Sequence, residues 1–138
     1  MNDTQQKFVR TVLWASMAYF GLCGLSAILY PVSWLLVSGL PSAALSSELQ
    51  VAFGALGAYL LALAFGAGLA AIHPLKHPGV IVTLLVGNIL DFCVTLKAVV
   101  AQQLPALNGG LFLAIAMTWA ALLGVTYLYV TRAHPAST

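Results

Sequence analysis

Asp91 and Asn88 are the side chains best placed to do chemistry, because both lie inside a long apolar run, Gly79 to Ala101. Read as a helix, Thr83, Gly87, Asp91 and Thr95 recur at every fourth position and Asn88 falls three before Asp91, so these residues form one stripe. A carboxylate near the centre of a bilayer costs several kcal/mol even on lenient insertion scales, so the stripe is expected to face protein or water. Counting about 1.5 Å per helical residue from the ends of the apolar runs puts Asp91 roughly 15 Å deep and Tyr59 about 16 Å deep. Tyr19 and Thr118 reach a similar depth in two further runs, with Trp119 beside Thr118. Aromatic residues with a polar tip normally occupy the headgroup belts, so Tyr19, Tyr59 and Trp119 at mid-depth call for polar partners. The expectation is a small pocket between helices lined by Asp91, Asn88, Tyr59 and Tyr19, with Thr118 at the same level. Such a pocket could bind a ligand or exchange a proton at Asp91. The structural alternative is an interhelical hydrogen bond, such as Tyr59 to Asp91, that fixes helix register alone.

Other constellations are weaker. His73 and His77 are four residues apart, a metal-ligand spacing on a helix, and His134 adds a third imidazole on the same side of the membrane. Pro74 and Pro78 interrupt the helix this spacing needs, and no carboxylate or thiolate lies nearby, so a solvated basic turn with no metal or cofactor is expected. Cys23 and Cys93 belong to no C-x-x-C pair and read as small buried hydrophobes. There is no nucleophile elbow, phosphate-binding glycine loop, zinc-protease motif or close pair of carboxylates, which leans away from an enzyme.

The elements that must position these residues follow from composition. Only 6% of the residues are charged against 62% hydrophobic, a balance no soluble domain of 138 residues sustains. No charge occurs between Arg10 and Glu48, between Glu48 and Lys76, or between Lys97 and Arg132. The apolar runs are continuous and about 20 residues or longer, which specifies helices rather than the alternating strands of a barrel. The net charge of +2 and the absence of a basic tract exclude a nucleic-acid partner. The fold class is therefore all-α: a four-helix transmembrane bundle forming a single integral membrane domain over residues 1–138, with spans at about 11–30, 48–72, 79–101 and 109–131.

Local signals punctuate these spans. The first run lacks a small-x-small site and reads as a retained span rather than a signal peptide. Pro31 stops it, and Ser33 to Ser38 reads as a short interfacial helix between spans one and two, anchored by Tyr30 and Trp34 and ended by Gly39 and Pro41; a re-entrant loop is the alternative. Ser47 with Gln50 fits a capping box and places Glu48 in the first helical turn. Gly54, Ala58, Ala62, Gly66 and Ala70 are spaced by four and suggest the tightest seam in the bundle. The turn His73 to Gly79 makes spans two and three antiparallel neighbours, and Gln102 to Leu107 forms the next turn. Ala116, Ala120 and Gly124 offer a second, exposed seam, the candidate surface for a second copy or another membrane protein. A short polar tail follows Arg132. Lys7, Arg10, Lys76 and Arg132 fall on one side and Lys97 toward the other, so both termini are expected in the cytoplasm.

The acid opening span two (Ser47-Glu48), the run Phe53-Gly54-Ala55-Leu56-Gly57, the basic turn His73 to His77, and Asn88 with Asp91 in span three carry a resemblance to small four-span bacterial inner-membrane proteins of unknown function. That resemblance implies an inner-membrane, multi-pass location and the same topology. In having four short spans the chain is also similar to small multidrug transporters, which work as dimers. Their essential glutamate lies in the first span, however, whereas Thr11 to Tyr30 contains no acid. The expected function is a non-enzymatic membrane module that binds a small or lipophilic ligand, or another membrane protein, through the bundle core. The alternative is a proton-linked small-molecule transporter acting as an oligomer, with Asp91 as proton carrier.

Overall fold

A computed structural model describes residues 1–39 and 46–133. Four long helices, each apolar and long enough to cross a membrane, make this a multi-pass, all-α bundle. They are α1 (Asp3–Leu29), α3 (Ser47–Ile72), α4 (Pro78–Val100) and α5 (Ala106–Ala133), and a short α2 (Pro31–Val37) lies between the first two. Pro41 and the tail beyond Ala133, including His134, lie outside the described residues.

Helices α1 and α3 begin before their apolar runs because capping chemistry extends them into polar sequence. Asn2 and Gln5 form a reciprocal capping box at the start of α1, and Lys7 pairs with Asp3 one turn along at 2.7 Å. At the start of α3 the cap is Ser46, one residue earlier than expected: its hydroxyl accepts from the Leu49 amide at 3.2 Å. Leu49 rather than Gln50 therefore occupies the third helical position, and the reciprocal box is not made. At its other end α3 is closed by a distant residue, since Arg10 donates a guanidinium hydrogen bond to the Ile72 carbonyl at 3.1 Å. Helix α5 begins at Ala106, so Ala106 and Leu107, expected in the turn, are helical, and it continues past Arg132 to Ala133.

Packing divides the bundle into two tight pairs, α1 with α3 and α4 with α5. In the first pair Gly24 and Gly57 let the backbones touch: a methyl group at Gly24 would come within 2.8 Å of the Gly57 carbonyl, and one at Gly57 within 2.6 Å of the Gly24 carbonyl. Further along, Gly68 accommodates the Met17 sulfur. The buried residues of α3 are Gly57, Ala64, Ala67, Gly68, Ala70 and Ala71; of the expected seam only Ala70 is among them, while Gly66 is half-buried, Ala58 and Ala62 are exposed and Gly54 touches nothing. Helical geometry explains the difference. Steps of four advance about 40° around the axis, so five such residues sweep roughly 160°, whereas mixed steps of three, four and seven stay on one face. The second pair closes where Gly109 meets the Val99 side chain.

Helices α3 and α4, although joined by the 3-10 turn Pro74–Lys76, touch much less than either tight pair does. The two pairs join mainly at the end carrying both chain termini. There Val9, Leu13, Ala67, Ala70, Ile81, Leu84, Leu123 and Val130 form one buried cluster, and Phe8 meets Tyr129 edge-on at 5.8 Å. Toward the opposite end the pairs separate, and the space between them is the site described next.

Candidate ligand cavity

The separation of the helix pairs leaves a cavity of about 630 Å³. Four of the five residues expected in a mid-depth pocket line it, one or more from each of three helices: Tyr19 from α1, Tyr59 from α3, and Asn88 and Asp91 from α4. On α4 the lining stripe is Leu84, Gly87, Asn88, Asp91 and Thr95. Thr83, expected on the same stripe, is exposed and turns its hydroxyl back to the Gly79 carbonyl at 3.0 Å.

Thr118, the fifth residue, does not reach the cavity. Its hydroxyl donates to the Ala114 carbonyl at 2.8 Å, and it lines a separate shallow groove with Trp119 and Leu122. The α5 residues that line the cavity are Phe112, Ile115 and Ala116, and the two residues from Ala116 to Thr118 correspond to a rotation of about 200°. Tyr19 stands between the two spaces, its ring 5.3 Å from that of Trp119.

The polar groups of the cavity differ in how far the protein satisfies them. Asn88 is buried and donates its amide to the Leu84 carbonyl at 2.8 Å. Tyr19 and Cys23 lie one turn apart on α1 and both line the cavity. Among the described residues no hydrogen bond or ion pair joins Asp91 to another protein group, and the register-fixing bond from Tyr59 is not formed. Among the described residues no Lys, Arg or His lines the cavity. Access is open on the side where α3 and α4 diverge: Tyr59 is 52% exposed, and a methyl group placed at Gly87 would meet only the Tyr59 hydroxyl, at 3.9 Å.

Helix α2 covers the end of the cavity away from the termini. Pro31 starts it at the first helical position, where its missing amide hydrogen is no loss. Trp34, expected as a membrane anchor, turns back onto α1: its indole nitrogen donates to the Ser26 hydroxyl at 3.1 Å, and Ser33, Trp34, Val37 and Ser38 all contribute to the lining. Asn108 of α5 fixes the other end of α2 through the Val37 carbonyl, at 2.6 Å. Gly39 then has φ +77, a left-handed backbone, and a side chain there would press on Pro105 at 2.7 Å.

Thr95 of the expected stripe lines the cavity too, and Cys23, Ser26 and Phe112 line it without having been anticipated. Tyr19, Cys23 and Ser26 lie four and three apart, so a polar stripe along α1 could have revealed two of them. Cys23 is thus a half-buried wall residue, while Cys93 is exposed on α4. His73 and His77 end α3 and precede α4 on either side of the 3-10 turn, so no common helical face unites them. Among the described residues no three His, Cys, Asp or Glu side chains cluster as a metal site, and His134 lies outside them. No family model, curated protein or solved structure matches the chain.

Proposed function

We propose that this protein is a non-enzymatic membrane module that binds a small amphiphilic molecule in the cavity between its two helix pairs. The observation that carries the reading is the single cavity wall formed by Tyr19, Tyr59, Asn88 and Asp91, in which Asp91 has no partner among the described residues. A polar group whose only role was to fix helix register would have that partner. The remaining wall, including Phe20, Leu60, Leu63, Phe112 and Ile115, is apolar, which suits the lipophilic part of a ligand. Proton-linked transport is the second reading, favoured by the same unpaired carboxyl, and it requires the cluster at the terminal end to open.

The positive-inside distribution of Lys7, Arg10, Lys76 and Arg132 supports a reading in which that closed end faces the cytoplasm at a bacterial inner membrane, with the cavity and α2 toward the other side. Calorimetric titration of the purified protein in nonionic detergent with 4-phenylbutanol tests the binding reading. Wild-type protein is expected to show one saturable site, abolished in Gly87→Leu, whose side chain would grow into the cavity. Equal heats from both proteins would mean partitioning into detergent and would remove the reading.

A further inference from the structure

We infer that the ligand is a lipophilic amine carrying a positive charge, held by Asp91 as counter-ion among the aromatic side chains of the cavity. This inference rests on the binding reading above and adds the charge of the ligand. Among the described residues Asp91 is the only formally charged one lining the space. The described cations are all placed elsewhere. Arg10 is engaged with the Ile72 carbonyl and Lys7 with Asp3, Lys76 lies in the 3-10 turn, and Arg132 sits in the last turn of α5. Lys97 is exposed six residues beyond Asp91, so it projects from a different face of α4. Glu48, the other acid near a span, is exposed in the first turn of α3 and outside the lining.

Asp91 is exposed to the space beside it rather than enclosed by protein, and a carboxylate at membrane depth that no protein cation answers is stabilised by whatever cation enters beside it, the more so as the surrounding dielectric falls. An anion would meet the opposite effect, and an uncharged molecule would gain neither. The wall supplies the second requirement of an organic cation. Tyr19, Trp34, Tyr59 and Phe112 line the space together with Asp91, and electron-rich rings attract ammonium groups that have shed their water. An amine with an aryl or alkyl tail would thus place its charge at the level of Asp91 and its tail against the apolar wall.

Three probes of one carbon skeleton separate this inference from the binding reading: 4-phenylbutylamine, 4-phenylbutanol and 4-phenylbutyrate, titrated into the full chain in nonionic detergent at neutral pH. The amine is expected to bind about tenfold or more tighter than the alcohol, as a charge-assisted contact requires, and the acid weakest. Asp91→Asn is expected to bring the amine-to-alcohol ratio to within about threefold. The wild-type ratio needs no variant and stands even if Asp91→Asn fails to fold. Equal binding of amine and alcohol, or tightest binding of the acid, overturns the inference and leaves the cavity reading standing. Failure of all three to bind overturns both.

Discussion

Asp91 shows how much one residue's environment decides. Because no described group bonds it, Asp91→Asn removes no protein hydrogen bond while relieving the cost of a carboxylate at membrane depth. Its unfolding free energy in detergent is expected to change by less than about 0.5 kcal/mol or to rise, as read by circular dichroism on heating. A loss above about 2 kcal/mol would mean that Asp91 has a structural partner. Trp34→Phe gives the contrasting case, since it deletes the indole bond to Ser26 and is expected to cost about 0.5–1.5 kcal/mol in the same assay. At this scale the site was largely legible. Polarity at the wrong depth marked Tyr19, Tyr59, Asn88 and Asp91, because the expense of polar groups in lipid is a property of sequence position. Which way a side chain points around its axis is not, and Thr118 shows the consequence: its own helix's carbonyl satisfies it on the outer face. The Trp34 bond to Ser26 was hidden for a related reason, since an indole that turns back onto the preceding helix and one that does not have the same sequence neighbourhood.

At the scale of elements, helix existence followed from apolar length, and helix pairing did not. The four spans appear where the charge-free runs lie, and α2 starts where Pro31 stops α1. The seam on α3 was misread because small residues at a spacing of four look like a ridge in sequence but spiral around a straight helix. Real close contact is a property of two helices, and the α1 partner glycine, Gly24, had no signal of its own. Two substitutions of identical chemistry separate the two seams. Gly57→Leu is expected to destabilise the protein by about 1–3 kcal/mol through overpacking against Gly24 and Ile28, whereas Gly54→Leu, in open space, is expected to stay within about 0.5 kcal/mol. Comparable losses from both would reinstate the four-residue seam.

For the molecule as a whole, the important fact is that the helix pairs part at one end. The tight turn between α3 and α4 implies neighbours throughout, yet glycine contacts draw α3 to α1 and α4 to α5, and the turn only tethers one pair to the other. That division creates the cavity, and no local sequence signal encodes it. Orientation is tested with single cysteines introduced at Gln6 and Gln103 after replacement of Cys23 and Cys93. A membrane-impermeant maleimide added to intact cells is expected to label Gln103→Cys and spare Gln6→Cys; the reverse pattern would place the cavity toward the cytoplasm.

The most direct measurement uses Trp34 as the sole fluorophore, with Trp14 and Trp119 changed to Phe, because its indole lines the cavity. A brominated 4-phenylbutylamine should quench its emission along a saturating curve that is abolished by Gly87→Leu. Quenching that rises linearly with probe, and equally in the Gly87→Leu protein, would contradict the existence of a binding cavity between the helix pairs.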